Sequence, residues 1–136
     1  VTLDSLADCS PAKRQFPDAP SVFVFDQHWL SNELPSYKRI AFICECLAGL
    51  PDTEIWFGDT AEVLQERARI TNMTDISVAS TSCPAVRNVT EILSSATPVI
   101  SLAWPPFCDA SKVKDLGRFS RYWNKVLKTA LKPTFG

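Results

Sequence analysis

The sequence predicts an α/β fold, a layered parallel sheet covered by helices, and three observations predict it. Short runs of β-branched and aromatic residues recur along the chain, amphipathic stretches at helical spacing alternate with them, and Gly or Pro separates most of the two kinds. The length of 136 residues suits one domain with a real core, and 46% hydrophobic with 21% charged residues is ordinary globular composition. The expectation is a single α/β domain over residues 1–136.

Val1-Thr2-Leu3 reads as the end of a first strand that either begins outside these residues or is very short, followed by a polar loop from Asp4 to Pro20 broken by Pro11, Pro17 and Pro20. Ser21–Asp26 (SVFVFD) is a continuous apolar run of the kind a strand buried on both faces requires. From Ser36 the period changes: Ile40, Ile43, Cys44, Leu47 and Leu50 share a helix face, and Gly49 with Pro51 marks the stop. Glu54-Ile55-Trp56-Phe57 is a short strand ending at Gly58. Asp59 then caps a helix, with Glu62 placed three residues on for a capping box.

Asp75–Ser80 predicts a further strand, Thr81–Asn88 a loop holding Pro84, and Val89–Ser95 a short helix. Pro98–Trp104 predicts a strand stopped by Pro105-Pro106. Ser111–Leu131 predicts a closing amphipathic helix. Leu116, Phe119, Trp123, Val126, Leu127 and Ala130 form its apolar stripe, and Arg118, Arg121, Lys125, Lys128 and Lys132 lie on another face. Alternation of strands and helices implies right-handed βαβ crossovers, hence a Rossmann-like three-layer sandwich of about five parallel strands.

Charge divides along the chain. Residues 1–110 carry seven bases against fourteen acids, a net of −7, and residues 111–136 carry seven bases against Asp115, a net of +6. Such a basic segment docks on the acidic body or on an acidic partner. No run of about 18 apolar residues is present, which predicts no membrane span. Residues 1–20 lack the apolar centre of a secretory signal, and the triplets starting at Asn72 and Asn88 matter as glycan acceptors only in a secreted protein. Five cysteines without paired spacing argue against a disulfide framework and for a reducing, cytoplasmic setting in which Cys44 and Cys46 pack as small hydrophobes. The single His28, with no Cys-X-X-Cys, disfavours a zinc site.

Four segments, in order, resemble the photolyase–cryptochrome family. Val22-Phe23-Val24-Phe25-Asp26 is similar to that family's V-x-V-F-D strand, and Lys38–Leu47 to its R-x-x-F-x-x-E-S-L helix. Gly58–Leu64 is similar to its G-D-P-x-E-V-L segment, and Arg118–Trp123 to the F-x-x-F-W segment closing its α/β domain. The opening W-F-R-x-D-L-R motif is not kept: Thr2 and Leu6 stand where the family has arginines. The resemblance implies the family's stand-alone α/β domain with strand order 3-2-1-4-5. The helical domain that binds FAD and carries the photochemistry is absent from these residues, so FAD is not expected on this chain and Trp29, Trp56, Trp104 and Trp123 take no electron-transfer role.

In such a sheet a ligand sits at the strands' carboxyl ends where the order reverses. That places Asp4, Ser5, Ser80, Thr81 and Ser82 around a candidate site for a small ligand, an antenna-type chromophore being the kind the resemblance implies. The competing reading is that Ser and Thr fill loops in any protein. The glycines form neither G-X-G-X-X-G nor a Walker A pattern, so no dinucleotide is expected, and no catalytic constellation is recognised. The functional expectation is a photolyase-like domain that binds a small ligand or a protein partner without photochemistry of its own. Two alternatives stand beside it. One is a component of a deoxyribodipyrimidine photolyase-type repair system, a lyase with its flavin on another chain. The other is nucleic-acid binding through Arg118, Arg121 and Lys125, disfavoured because the domain as a whole is not basic.

Overall fold

The computed structural model describes residues 1–111, 113 and 117–130. Two compact units divide the chain, Val1–Trp104 and Pro105–Gly136. The first holds α1 (Pro11–Gln15), β1 (Ser21–Asp26), α2 (Gln27–Glu33), α3 (Tyr37–Ala48), β2 (Thr53–Gly58), α4 (Thr60–Thr71), β3 (Ile76–Ala79), α5 (Pro84–Ser94) and β4 (Val99–Leu102). The second holds α6 (Phe119–Ala130).

The expected five-stranded sheet in order 3-2-1-4-5 does not form. Among the described residues there are two separate two-stranded parallel sheets, β1 with β2 and β3 with β4. Val1–Leu3, where the end of a first strand was expected, forms no strand. Ser5 N–H donates to the Thr2 carbonyl at 2.9 Å and Thr2 N–H to the Ser5 hydroxyl at 2.9 Å, which curls residues 2–5 into a turn. The Val1 amino group donates to the Val22 carbonyl of β1 at 2.8 Å. Among the described residues no strand pairs β1 with β3.

Each pair is still built as parallel strands should be. β1 and β2 run in register from Ser21 opposite Thr53 to Asp26 opposite Gly58, and β3 and β4 from Ile76 opposite Val99 to Ala79 opposite Leu102. Phe23 of β1 packs with Ile43 and Leu47 of α3 into a buried cluster, against which Val1, Leu3, Leu6, Phe25 and Trp29 rest. Burying side chains of this size stabilises by about 1.5–3 kcal/mol each. Phe23 and Phe25, two apart and so on one face, meet edge-on at 5.1 Å. The outward side of β2 is not covered: Ile55 is 55% and Phe57 67% exposed.

Helix ends follow local chemistry. Ser10, Asp26, Ser36 and Asp59 each cap a helix by accepting a backbone N–H three residues on. α5 begins at Pro84, inside the expected loop, because proline at the first helical position forfeits an N–H that has no partner there. α1 and α2 lie in stretches whose apolar residues are too few to show a period. α6 starts at Phe119 rather than Ser111: the Arg118 carbonyl accepts the N–H groups of Arg121 and Tyr122, which makes Arg118 its cap. Lys112, Lys114–Leu116 and Leu131–Gly136, including Lys132 of the expected basic face, lie outside the described residues. No described helix is long and apolar enough to cross a membrane.

Candidate functional site

Between the two strand pairs of the first unit lies a cavity of about 810 Å³. Val22 and Val24 of β1 face it from one side, Ile76, Val78 and Ala79 of β3 from the other, with α4 (Leu64, Ala68) and α5 (Val89, Leu93) completing the walls. The size falls in the range of small-molecule sites, and the walls are mostly apolar with a few placed polar groups.

One group of hydrogen-bonded polar side chains lies where β1 ends. Asp26 Oδ1 accepts the Trp29 N–H at 2.8 Å, while Oδ2 accepts the Thr60 N–H at 3.1 Å and the Thr60 hydroxyl at 2.6 Å. Burial pushes this carboxyl up, but the Thr60 hydroxyl and the backbone N–H groups of Trp29, Thr60 and His28 outweigh it, and the net effect holds it below its ordinary value. His28 Nε2 lies 3.5 Å from Asp59 Oδ2 on an imidazole 67% exposed to solvent. Asp59 also accepts the Glu62 N–H at 3.0 Å, so its carboxylate is divided between capping α4 and facing the imidazole. Trp29 donates its indole N–H to Glu33 at 3.0 Å and carries the Arg39 guanidinium 5.5 Å from its ring centre. Asp4, Asp26, His28, Trp29, Arg39 and Asp59 all border the cavity.

The sequence-predicted residues divide. Asp4 and Ser5 border the cavity; Ser80, Thr81 and Ser82 do not. Asp4 is nonetheless joined to the loop after β3, since the Thr81 hydroxyl donates to its carboxylate and itself accepts the Cys83 N–H at 2.9 Å. Ser5 is buried and its hydroxyl is spent on the Thr2 turn, which leaves it no free direction toward a guest. Ser80 N–H donates to Leu102 at 2.7 Å in continuation of the β3–β4 ladder, and Ser82 is exposed. Sequence reasoning missed His28, Trp29 and Arg39. The signal that would have found them is Asp26 as a cap, which places a helix directly after β1 and brings the next residues to the strand's end.

In the second unit Arg118, Arg121 and Lys125 are exposed along one flank of α6. Its aromatic residues associate with each other: Phe119 stacks on Trp123 with ring centres 5.9 Å apart. The Tyr122 hydroxyl lies 3.1 Å from the Cys108 sulfur, and that contact, with some desolvation, raises the tyrosine above its ordinary value. All five cysteines are free; of the two expected to pack as small hydrophobes, Cys46 is half-buried and Cys44 is exposed.

No family model, curated protein or solved structure matches this chain.

Proposed function

We propose that this chain is a binding module whose guest occupies the cavity between β1 and β3, and which contributes no reacting group of its own. One observation carries the reading: a mostly apolar space of about 810 Å³ bordered by β1 and β3, with a hydrogen-bonded group of polar side chains where β1 ends. The Asp26 group, at the carboxyl end of β1, lies where parallel strands present ligands. The order of the four photolyase-like segments supports a chromophore as one class of guest, and the mostly apolar lining supports an apolar polypeptide segment as the other.

Absorbance of the purified protein separates these classes. A band at longer wavelengths than aromatic side chains absorb, released as a small molecule on denaturation, identifies a chromophore. A bare protein spectrum together with uptake of an apolar dye, quenching Trp29 at the cavity's border, is the outcome expected of a cavity awaiting a polypeptide. Absence of both a chromophore and any dye uptake ends the reading.

A further inference from the structure

We infer that α6 is a contact site for single-stranded nucleic acid, in which a row of cations follows the phosphates and the Phe119 ring stacks on a base. The row comes from spacing. Arg118, Arg121, Lys125 and Lys128 are separated by three, four and three residues, so they share one side of the helix, and all four are exposed. At about 1.5 Å per residue the row is about 15 Å long, the span of about four phosphates in a strand rising about 3.4 Å per nucleotide. Phe119–Ala130 holds no acid, and residues 111–136 carry a net +6. The net charge of −1 over the whole chain conceals this local excess. Arg118, Lys125 and Lys128 form no ion pair with a described acid, so none of those acids neutralises them. All of these residues belong to the second unit, so the site stands or falls independently of the cavity.

The aromatic residues decide which polyanion fits. Phe119 stacks on Trp123 with ring centres 5.9 Å apart and planes 14° from parallel, yet is itself 73% exposed. A ring supported behind and open in front is a platform for a flat base, and cations alongside such a ring are how single strands are held. Val126, on the same apolar stripe, is 0% exposed. A helix lying in a lipid surface offers the middle of its apolar face to the acyl chains, and here that middle is already covered. An acidic polypeptide segment satisfies the cations and leaves Phe119 in water. In a duplex the base faces are stacked on one another, so the platform selects an unpaired strand.

The test follows the fluorescence anisotropy of a labelled oligothymidylate titrated with the full chain at several salt concentrations. Three or four contacted phosphates predict a slope of about −2 to −3 for log affinity against log salt. Lys125→Gln with Lys128→Gln is expected to reduce that slope by about 1.4. Phe119→Leu keeps an apolar side chain and loses the flat ring; it is expected to keep the slope and bind about tenfold more weakly. Phe119→Trp is expected to bind at least as well as the parent, and an abasic strand of the same length about tenfold worse than the oligothymidylate. Equal binding of the abasic strand, unchanged affinity in Phe119→Leu, or tighter binding to phosphatidylserine vesicles overturns the inference. So does affinity indifferent to salt, or no binding at about 50 mM salt.

Discussion

Asp26 and Thr60, 34 residues apart in the chain, are joined by two hydrogen bonds from the threonine's N–H and hydroxyl to one carboxylate oxygen, at 3.1 and 2.6 Å. Because the other oxygen caps α2 through Trp29, one side chain fixes the end of β1, the start of α2 and the start of α4 relative to each other.

Asp26→Ala therefore removes a cap and an inter-element tie together, and is expected to cost about 1–3 kcal/mol in urea unfolding. Thr60→Val, which removes only the hydroxyl donor, costs about 1 kcal/mol. Equal effects of the two variants contradict the shared role of the carboxylate.

The same carboxyl sets a pH dependence. Its folded value lies below the ordinary 3.8, so the charged form is favoured by folding. The stabilisation is fully present above about pH 4 and is lost as pH falls through the folded value. Asp26→Asn removes this contribution, and its stability relative to the parent is expected to improve as pH drops below 3.8. Parallel stability curves for the two proteins in acid refute it.

Gly58 ends β2 at φ +150°, a conformation side chains rarely adopt, and a Cβ there lies 3.2 Å from the Val63 side chain. Gly58→Ala is expected to destabilise by about 1–3 kcal/mol through strain and contact together. Thermal unfolding measures it, and an unchanged midpoint excludes the strain.

Ile43 and Leu93 are buried to a similar degree, 2% and 3% exposed, but Leu93 borders the cavity and Ile43 packs in the Phe23–Leu47 cluster. A side chain beside an existing void has fewer partners to lose. Ile43→Ala is expected to cost about 2–5 kcal/mol and Leu93→Ala less than half as much. Chemical denaturation of both variants decides the order.

Simultaneous Arg118→Glu, Arg121→Glu and Lys125→Glu exchanges are expected to leave dye uptake by the first unit unchanged, since every residue bordering its cavity falls within Val1–Trp104. If instead steeply salt-dependent DNA binding is measured in the parent and vanishes in the variant, α6 is the functional surface.

Local structure was legible wherever burial imposes a period or a cap imposes a residue. β1, α3, β2 and α4 follow their apolar patterns, and Asp59 caps as its spacing with Glu62 requires. The sheet order was not legible, because an apolar run marks a strand but not its neighbour, and Val1–Leu3 joins neither of the two sheets. The site was half legible for the same reason. Asp4 and Thr81 were placed together by the strand-end rule, and Asp4 does meet the loop after β3. The His28–Asp59 approach depends on α2, whose polar sequence Gln-His-Trp-Leu-Ser-Asn-Glu carries no helical stripe.

The uncovered side of β2 has a consequence for handling the protein. Ile55, Trp56 and Phe57 form an apolar triplet on a strand in a two-stranded sheet, where another molecule can add edge to edge. Glu54 before the triplet and Asp59 just after Gly58 act as gatekeepers, charges whose burial in a stacked fibre is unfavourable. Exchanging both for neutral residues turns the same triplet into the seed of insoluble assembly.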